Sequence, residues 1–261
     1  KKLVEEKQKE ILDSIHYAKR LQEAILPSFE TMNKFFVDNF ILYKPKDIVA
    51  GDFYWLEHAN GITFVAAADC TGHGVPGAMV SVVCSNALNR SVLEFGITDP
   101  GKILEKTREL VLETFSKSEK DVKDGMDISL LAINHTTKET SWAGANNPLW
   151  IIGNREVDSS KFVEIKADKQ PIGKTENPQP FTTHMITVSK GDQIYLFTDG
   201  YADQFGGQKG KKFKYLQLKE LLITTSHLTP QEQNQTLDLA FEKWRGILEQ
   251  VDDVCIIGIR L

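Results

Sequence analysis

Cysteine is scarce in this chain, with 3 in 261 residues. Cys70, Cys84 and Cys255 each lie in or beside an apolar stretch, and no Cys-x-x-Cys or Cys/His grouping accompanies them. That argues against a disulfide framework and a structural zinc site, and points to buried free thiols in a reducing compartment. Excess basic charge is missing too, and a net charge of −5 gives a nucleic-acid backbone nothing to hold. No apolar run approaches the roughly 18 residues of a membrane span. What remains is an ordinary globular composition, 41% hydrophobic and 26% charged, long enough for one large domain or two small ones. The chain opens on Lys1-Lys2 without Met and already inside a helical pattern, so it is expected to be a piece of something longer.

Residues 1–26 read as one helix. They are rich in Glu, Lys and Gln, hold neither Gly nor Pro, and run into Pro27-Ser28. Val4, Ile11, Ala18 and Ile25 fall seven apart, flanked by Ile15 and Leu21, while Gln8 and Gln22 interrupt the stripe. One reading is a surface helix packed on its own domain. The sharper reading is a short coiled coil that pairs two copies and joins this domain to an upstream one. Residues 1–29 are therefore set apart as a linker helix, and 30–261 as the domain proper.

The centre of the chain is Asp69-Cys70-Thr71-Gly72-His73-Gly74-Val75-Pro76-Gly77-Ala78. The apolar, partly β-branched run 62–68 ahead of it predicts a buried strand, and helical spacing of Met79, Val82, Val83, Leu88 and Val92 predicts a helix behind it. A carboxylate thus sits rigidly at a strand end before a glycine-rich turn. Gly72, Gly74 and Gly77 match the G-x-G-x-x-G spacing of dinucleotide sites. The context argues against that use. The acidic residue expected about 20 positions on should end a second strand, whereas Glu94 lies in the helical pattern, and Asp69 would repel a pyrophosphate.

Other carboxylates share this setting. Asp52 stands between Gly51 and the aromatic run Phe53-Tyr54-Trp55, where strands deplete Asp and a buried carboxylate needs a partner. Asn60-Gly61 is a hairpin signal, so the strands bearing Asp52 and Asp69 should be antiparallel neighbours. Asp199 ends the apolar run 193–198, and Asp252-Asp253 opens the run 254–259. Helices are expected over 77–95, 100–118, 216–224 and 230–249. Strands are expected over 35–43, 128–133, 139–143, 149–152, 162–165 and 181–188, a succession that implies antiparallel sheet. The basic, glycine-rich loop 206–214 reads either as a solvated loop or as a flap steering an anionic substrate. Clustered carboxylates repel unless cations intervene. All-oxygen ligands favour Mg²⁺ or Mn²⁺, and a pair of such ions suits displacement at phosphorus.

Six short motifs agree with one family in sequence and order over about 30–261. They are Gly51-Asp52-Phe53-Tyr54-Trp55, the Asp69–Ala78 stretch, Ala143-Gly144-Ala145-Asn146-Asn147-Pro148-Leu149, Gln170-Pro171-Ile172-Gly173, Thr198-Asp199-Gly200 and Asp252-Asp253-Val254-Cys255. The chain resembles the metal-dependent serine/threonine phosphatases of the type 2C superfamily, and more closely the bacterial branch named for stage II sporulation protein E, which includes regulators of stress sigma factors. The resemblance implies an α+β fold, an antiparallel β-sandwich flanked by helices on both faces, with two divalent metal ions, Mn²⁺ or Mg²⁺, at one end. Asp69 would bridge the ions, Asp52 and the Cys70 carbonyl would serve one, and Asp199 and Asp252 the other. Water activated there would attack phosphoserine or phosphothreonine with no phosphoenzyme intermediate. Asp253, where the wider superfamily often has Asn, ranks behind Asp252 as a ligand. Asp127 is either a support for a further ion or a satisfied turn residue. His73 lies two residues further from the bridging Asp than the histidine of eukaryotic members, and no arginine in the motifs grips the phosphate.

The expected partner is a phosphorylated protein, an anti-anti-sigma-like regulator, and the expected assembly a homodimer through the N-terminal helix. The expected location is the cytoplasm, as a soluble protein or as part of a membrane-anchored sensor. The competing reading is a catalytically weak phosphatase-fold module that acts by binding or dimerisation.

Overall fold

The computed structural model describes residues 2–116, 123–154 and 162–261. In chain order the elements are α1 (Lys2–Ile25), α2 (Phe29–Phe35), β1 (Asp38–Lys44), β2 (Phe53–Ala59), β3 (Ile62–Cys70), α3 (Gly74–Leu93), α4 (Pro100–Ser116), β4 (Met126–Asn134), β5 (Thr140–Ala145), β6 (Leu149–Ile152), β7 (Phe162–Ile165), β8 (His184–Ile186), β9 (Gln193–Phe197), α5 (Gly200–Asp203), β10 (Phe205–Gly206), β11 (Lys211–Lys212), α6 (Lys214–Thr225), α7 (Pro230–Arg245) and β12 (Val254–Arg260). Position 1 of the expected first helix and positions 117–118 of the expected 100–118 helix lie outside the described residues.

Two five-stranded antiparallel sheets face each other, ordered β2-β3-β4-β5-β8 and β1-β12-β9-β6-β7. Val65, Ala67, Leu131 and Trp142 from the first meet Leu149, Ile194, Leu196, Cys255 and Ile257 from the second to fill the space between them. The outer face of the first sheet carries Phe53, Trp55, Phe64 and Leu130 against Leu88, Ile103 and Leu104 of α3 and α4. The outer face of the second carries Trp150, Tyr195 and Phe197 against Leu218, Leu222, Leu237 and Phe241 of α6 and α7. This is the sandwich with helices on both faces that the resemblance implies. Central strands with both faces covered lose alternation, which is why β3 is buried along nearly its whole length.

The Asn60-Gly61 hairpin forms as expected, with φ of 54° and 74°, and pairs Phe53 with Ala68 at its open end. Some boundaries differ from expectation, among them the helix expected over 230–249, which ends at Arg245. The strand expected over 35–43 begins only at Asp38, because Phe35 closes the helix Phe29–Phe35, whose start is capped by the Ser28 side chain accepting the Thr31 N–H. The strand expected over 181–188 shrinks to β8. Thr182 instead donates its N–H to Asp168 Oδ2 at 2.7 Å, and Thr183 its hydroxyl to Asp99 Oδ1 at 2.7 Å.

The first helix stands apart from this packing. Over its 24 residues only Gln22 is buried. Leu3, Val4, Ile11, Leu12, Tyr17, Leu21 and Ile25 are all exposed. Among the described residues no helix is long and apolar enough to cross a membrane.

Candidate active site

Acidic strand ends from both sheets converge at one end of the sandwich. Asp52 lies one step before the Phe53–Ala68 pair, which places it beside Asp69. Asp127 faces Asp69 across the β3–β4 ladder. From the second sheet come Asp199, directly after β9, and Asp252, just ahead of the neighbouring β12. All four carboxylates singled out from the sequence are therefore brought together, and Asp127 joins them through register.

Glycine makes this convergence possible. A Cβ on Gly51 would lie 2.3 Å from the Gly72 carbonyl oxygen, and one on Gly77 would lie 2.1 Å from the same atom. The turn after Asp69 is thus pressed backbone to backbone against the residue before Asp52. The G-x-G-x-x-G spacing serves that close approach, with Gly72 and Gly74 at φ of 84° and 62°. Gly200 plays a similar part for Asp199, since its Cβ would fall 1.9 Å from the Asp253 carbonyl oxygen.

The cluster is electrostatically loaded. Burial lifts the Asp52 carboxyl well above the ordinary range, and the charges of Asp69, Asp253 and Asp252 lift it further. The Thr198 hydroxyl opposes this by donating to Asp52 Oδ2 at 2.6 Å. Burial, then Asp199, Asp252 and Asp127, push Asp69 to about 8. Burial, then Asp203, Asp252 and Asp127, push Asp199 to about 6, with Lys212 pulling the other way. Burial raises Asp127, and Asn146, donating to its Oδ1 at 2.8 Å, restrains the rise. Carboxylates gathered at this cost are the ordinary signature of a functional site.

The neighbouring groups narrow what the site can hold. The Cys70 thiol packs in the core beneath the first sheet with Cys84, and burial raises it far above the usual thiol range. Only the Cys70 carbonyl, next to Gly51, is left on the cluster's side. Asp253 turns away from the cluster. Its Oδ1 accepts the Lys46 N–H and its Oδ2 the Gly51 N–H, both at 2.7 Å. His73 Nδ1 pairs with Asp47 Oδ2 at 2.7 Å on the exposed rim. The donor set is therefore oxygen only, which fits a hard divalent cation. Among the described residues, no three His, Cys, Asp or Glu side chains stand close enough to close a metal shell as they are.

Two contributors lie outside the expected ligand set. Thr198 links the sheets, accepting the Cys255 N–H at 3.0 Å while it donates to Asp52. Gln22 reaches from α1 to the residue two before Asp52: its Nε2 donates to the Ala50 carbonyl at 2.6 Å and its Oε1 accepts the Ala50 N–H at 3.0 Å. The expectation that Gln22 merely interrupts an apolar stripe is corrected; it anchors the helix. The basic loop folds into the β10–β11 hairpin beside the cluster, with Lys212 paired to Asp203 at 2.6 Å. A cavity of about 170 Å³ opens between Asp69, Thr71, Lys123 and Asp127. A larger one, about 700 Å³, lies behind the hairpin against Trp244 and contains none of the clustered carboxylates.

The family model for stage II sporulation protein E (SpoIIE) matches residues 59–261. The phosphoserine phosphatase RsbU of Bacillus subtilis (strain 168) is 24% identical over 198 residues, 75% of this chain and 55% of that protein. The chain thus spans about half the length of this curated relative. Among solved structures, the SiaA-PP2C domain of Pseudomonas aeruginosa superposes with a TM-score of 0.86 at 28% identity, covering 97% of this chain and 98% of that one. RsbX, solved in complex with magnesium, superposes with a TM-score of 0.56 at 17% identity, covering 85% and 94%. The fold is that of the PP2C phosphatases.

Proposed function

This chain belongs to the stage II sporulation protein E family, and on that premise we propose that it is a metal-dependent protein serine/threonine phosphatase. The observation that carries the proposal is the convergence of Asp52, Asp69, Asp199 and Asp252 from two sheets into one partly buried, mutually repelling cluster. Asp69, central to the repulsion, would bridge two divalent cations, Mn²⁺ or Mg²⁺. Asp52 and the Cys70 carbonyl would hold one, Asp199 and Asp252 the other. RsbX, of the same fold, was solved with magnesium. Such a pair lowers the pKa of water and neutralises the oxygens of an in-line displacement at phosphorus.

The chain's own residues prepare this centre. Thr198 fixes the Asp52 carboxylate through its hydroxyl, and Asp253 and Gln22 fix the backbone that carries it. His73, tied to Asp47 on the rim, shapes the turn after the bridging residue. The substrate would be a phosphoserine- or phosphothreonine-bearing protein, in keeping with a relative named phosphoserine phosphatase, and our reading of the partner is an anti-anti-sigma-like regulator. Residues 1–29 would be a control helix and 30–261 the phosphatase domain, in the cytoplasm or on the cytoplasmic side of a membrane-anchored sensor. A helix with one buried side chain in 24 residues is marginal alone in water. Pairing with a second copy through Val4, Ile11, Ala18 and Ile25 would cover its apolar stripe, and Gln22 would couple that pairing to Asp52.

Hydrolysis of p-nitrophenyl phosphate tests the reading. Activity should require Mn²⁺, vanish with EDTA, and fall by several orders of magnitude in Asp199→Asn, since both ions are needed. Full activity in Asp199→Asn would refute the site. No Mn²⁺-dependent activity in the parent would leave a module acting by binding or dimerisation.

A further inference from the structure

Tyr215 sits in the first turn of α6, against the end of the strand that leads into Asp199. Its ring lies edge-on to Trp150, with centroids 6.0 Å apart and planes at 75°, and 6.1 Å from Phe197, two residues before Asp199. Trp150 and Phe197 are 3% and 1% exposed, so this seat is rigid, whereas Tyr215 is 40% exposed. The residue before it, Lys214, adopts φ of 74°. A side-chain-bearing residue enters this left-handed region only under strain, and such strain collects where a neighbouring group must be aimed. Here it turns the chain from the β10–β11 hairpin into α6 and sets Tyr215 at the end of β9.

The Tyr215 hydroxyl has no hydrogen-bond partner among the described residues. Burial raises its pKa, and the charges of Asp199, Asp203, Asp69 and Asp127 raise it further. The phenol therefore stays protonated and can donate, a capacity that the ionised carboxylates lack. One neighbouring cation, Lys212, is already engaged with Asp203, and Lys123 lines the cavity on the Asp69 side. A phosphoryl group drawn to this centre would need donors as well as cations, and the motifs provide no arginine.

We propose that the Tyr215 hydroxyl donates a hydrogen bond to a phosphoryl oxygen of the substrate, and that its ring, seated on Trp150 and Phe197, sets the depth at which that group enters. The proposal rests on the phosphatase reading above. It assigns Tyr215 the phosphate grip that arginine provides elsewhere.

The test compares Tyr215→Phe, which keeps the ring, with Tyr215→Ala. At saturating Mn²⁺, kcat/KM for p-nitrophenyl phosphate and the competitive Ki of inorganic phosphate are measured, and Mn²⁺ affinity is titrated separately. A hydrogen bond to a charged group predicts about a tenfold to hundredfold loss of kcat/KM in Tyr215→Phe. Ki should rise by a comparable factor while Mn²⁺ affinity holds. Four results would overturn the proposal: kcat/KM within about threefold of the parent, an unchanged Ki, a parallel loss of Mn²⁺ affinity, or a defect confined to Tyr215→Ala. An inactive parent would instead bring down the phosphatase reading, and this proposal with it.

Discussion

Asp252 and Asp253 are chemically identical neighbours with opposite tasks. Successive side chains near a strand point to opposite sides, so one faces the cluster and the other the loop 45–51. Asp253 spends both oxygens on backbone N–H groups, those of Lys46 and Gly51, and is 1% exposed. An amide has one acceptor oxygen, so Asp253→Asn would leave one of these buried N–H groups facing an NH₂ group. An unsatisfied buried donor costs about 1–3 kcal/mol. Urea unfolding should therefore show Asp253→Asn destabilised by about that much, whereas Asp252→Asn, which relieves repulsion, should lose activity without losing stability. Equal midpoints for Asp253→Asn and the parent would contradict this division. The sequence places an acidic pair before a strand; which member faces the cluster depends on N–H groups some 200 positions away, as the Asp253–Gly51 separation of 202 shows.

At the scale of elements, local signals and long-range pairing part company. The helices α3 and α4 follow from apolar spacing and the β2–β3 hairpin from Asn60-Gly61, because these depend on residues close in sequence. The assignment of strands to two sheets does not. β1 pairs with β12 in the register Asp38 to Arg260, and β12 pairs with β9, contacts that no local pattern encodes. For the same reason the sequence leaves Asp127 open between a support for a further ion and a turn residue, since its place beside Asp69 comes from strand register. Gln22 is the clearest case. In a helical stripe it reads as a polar interruption, yet it is the single buried side chain of α1 and bonds both polar groups of Ala50, as well as Ser81 Oγ at 3.1 Å. Gln22→Ala would remove those bonds and strand buried partners, a loss of about 1–3 kcal/mol. The helix would then be free of the loop that carries Asp52. Proteolysis within residues 2–25 should speed up, and Mn²⁺-dependent activity should change relative to the parent. Unaltered proteolysis together with unaltered activity would mean that α1 is not coupled to the site through this residue.

For the whole molecule, the cluster makes stability a function of pH and cation together. Unfolded aspartates titrate near 3.8, whereas in the folded chain Asp69 is raised to about 8 and Asp199 to about 6, with Asp52 and Asp127 also raised. Between those values the folded state binds more protons than the unfolded state, so raising the pH favours unfolding. The metal-free protein should be most stable below the unfolded value as far as these groups are concerned, and should lose stability, on the order of a few kcal/mol, as pH rises from about 4 to about 8. Divalent cations reverse the slope because they bind the ionised form and displace the protons. Thermal unfolding with EDTA should give a melting temperature that falls from about pH 5 to about pH 8, and saturating Mn²⁺ should raise it more at the higher pH. The net charge of −5 at pH 7 also adds general repulsion as pH rises, so the control is Asp69→Asn. Removing the Asp69 carboxyl, raised to about 8, should flatten the EDTA curve and diminish the Mn²⁺ effect. A flat EDTA curve in the parent, or a Mn²⁺ gain equal at both pH values, would show that the cluster is neither loaded as described nor the place where the cation binds.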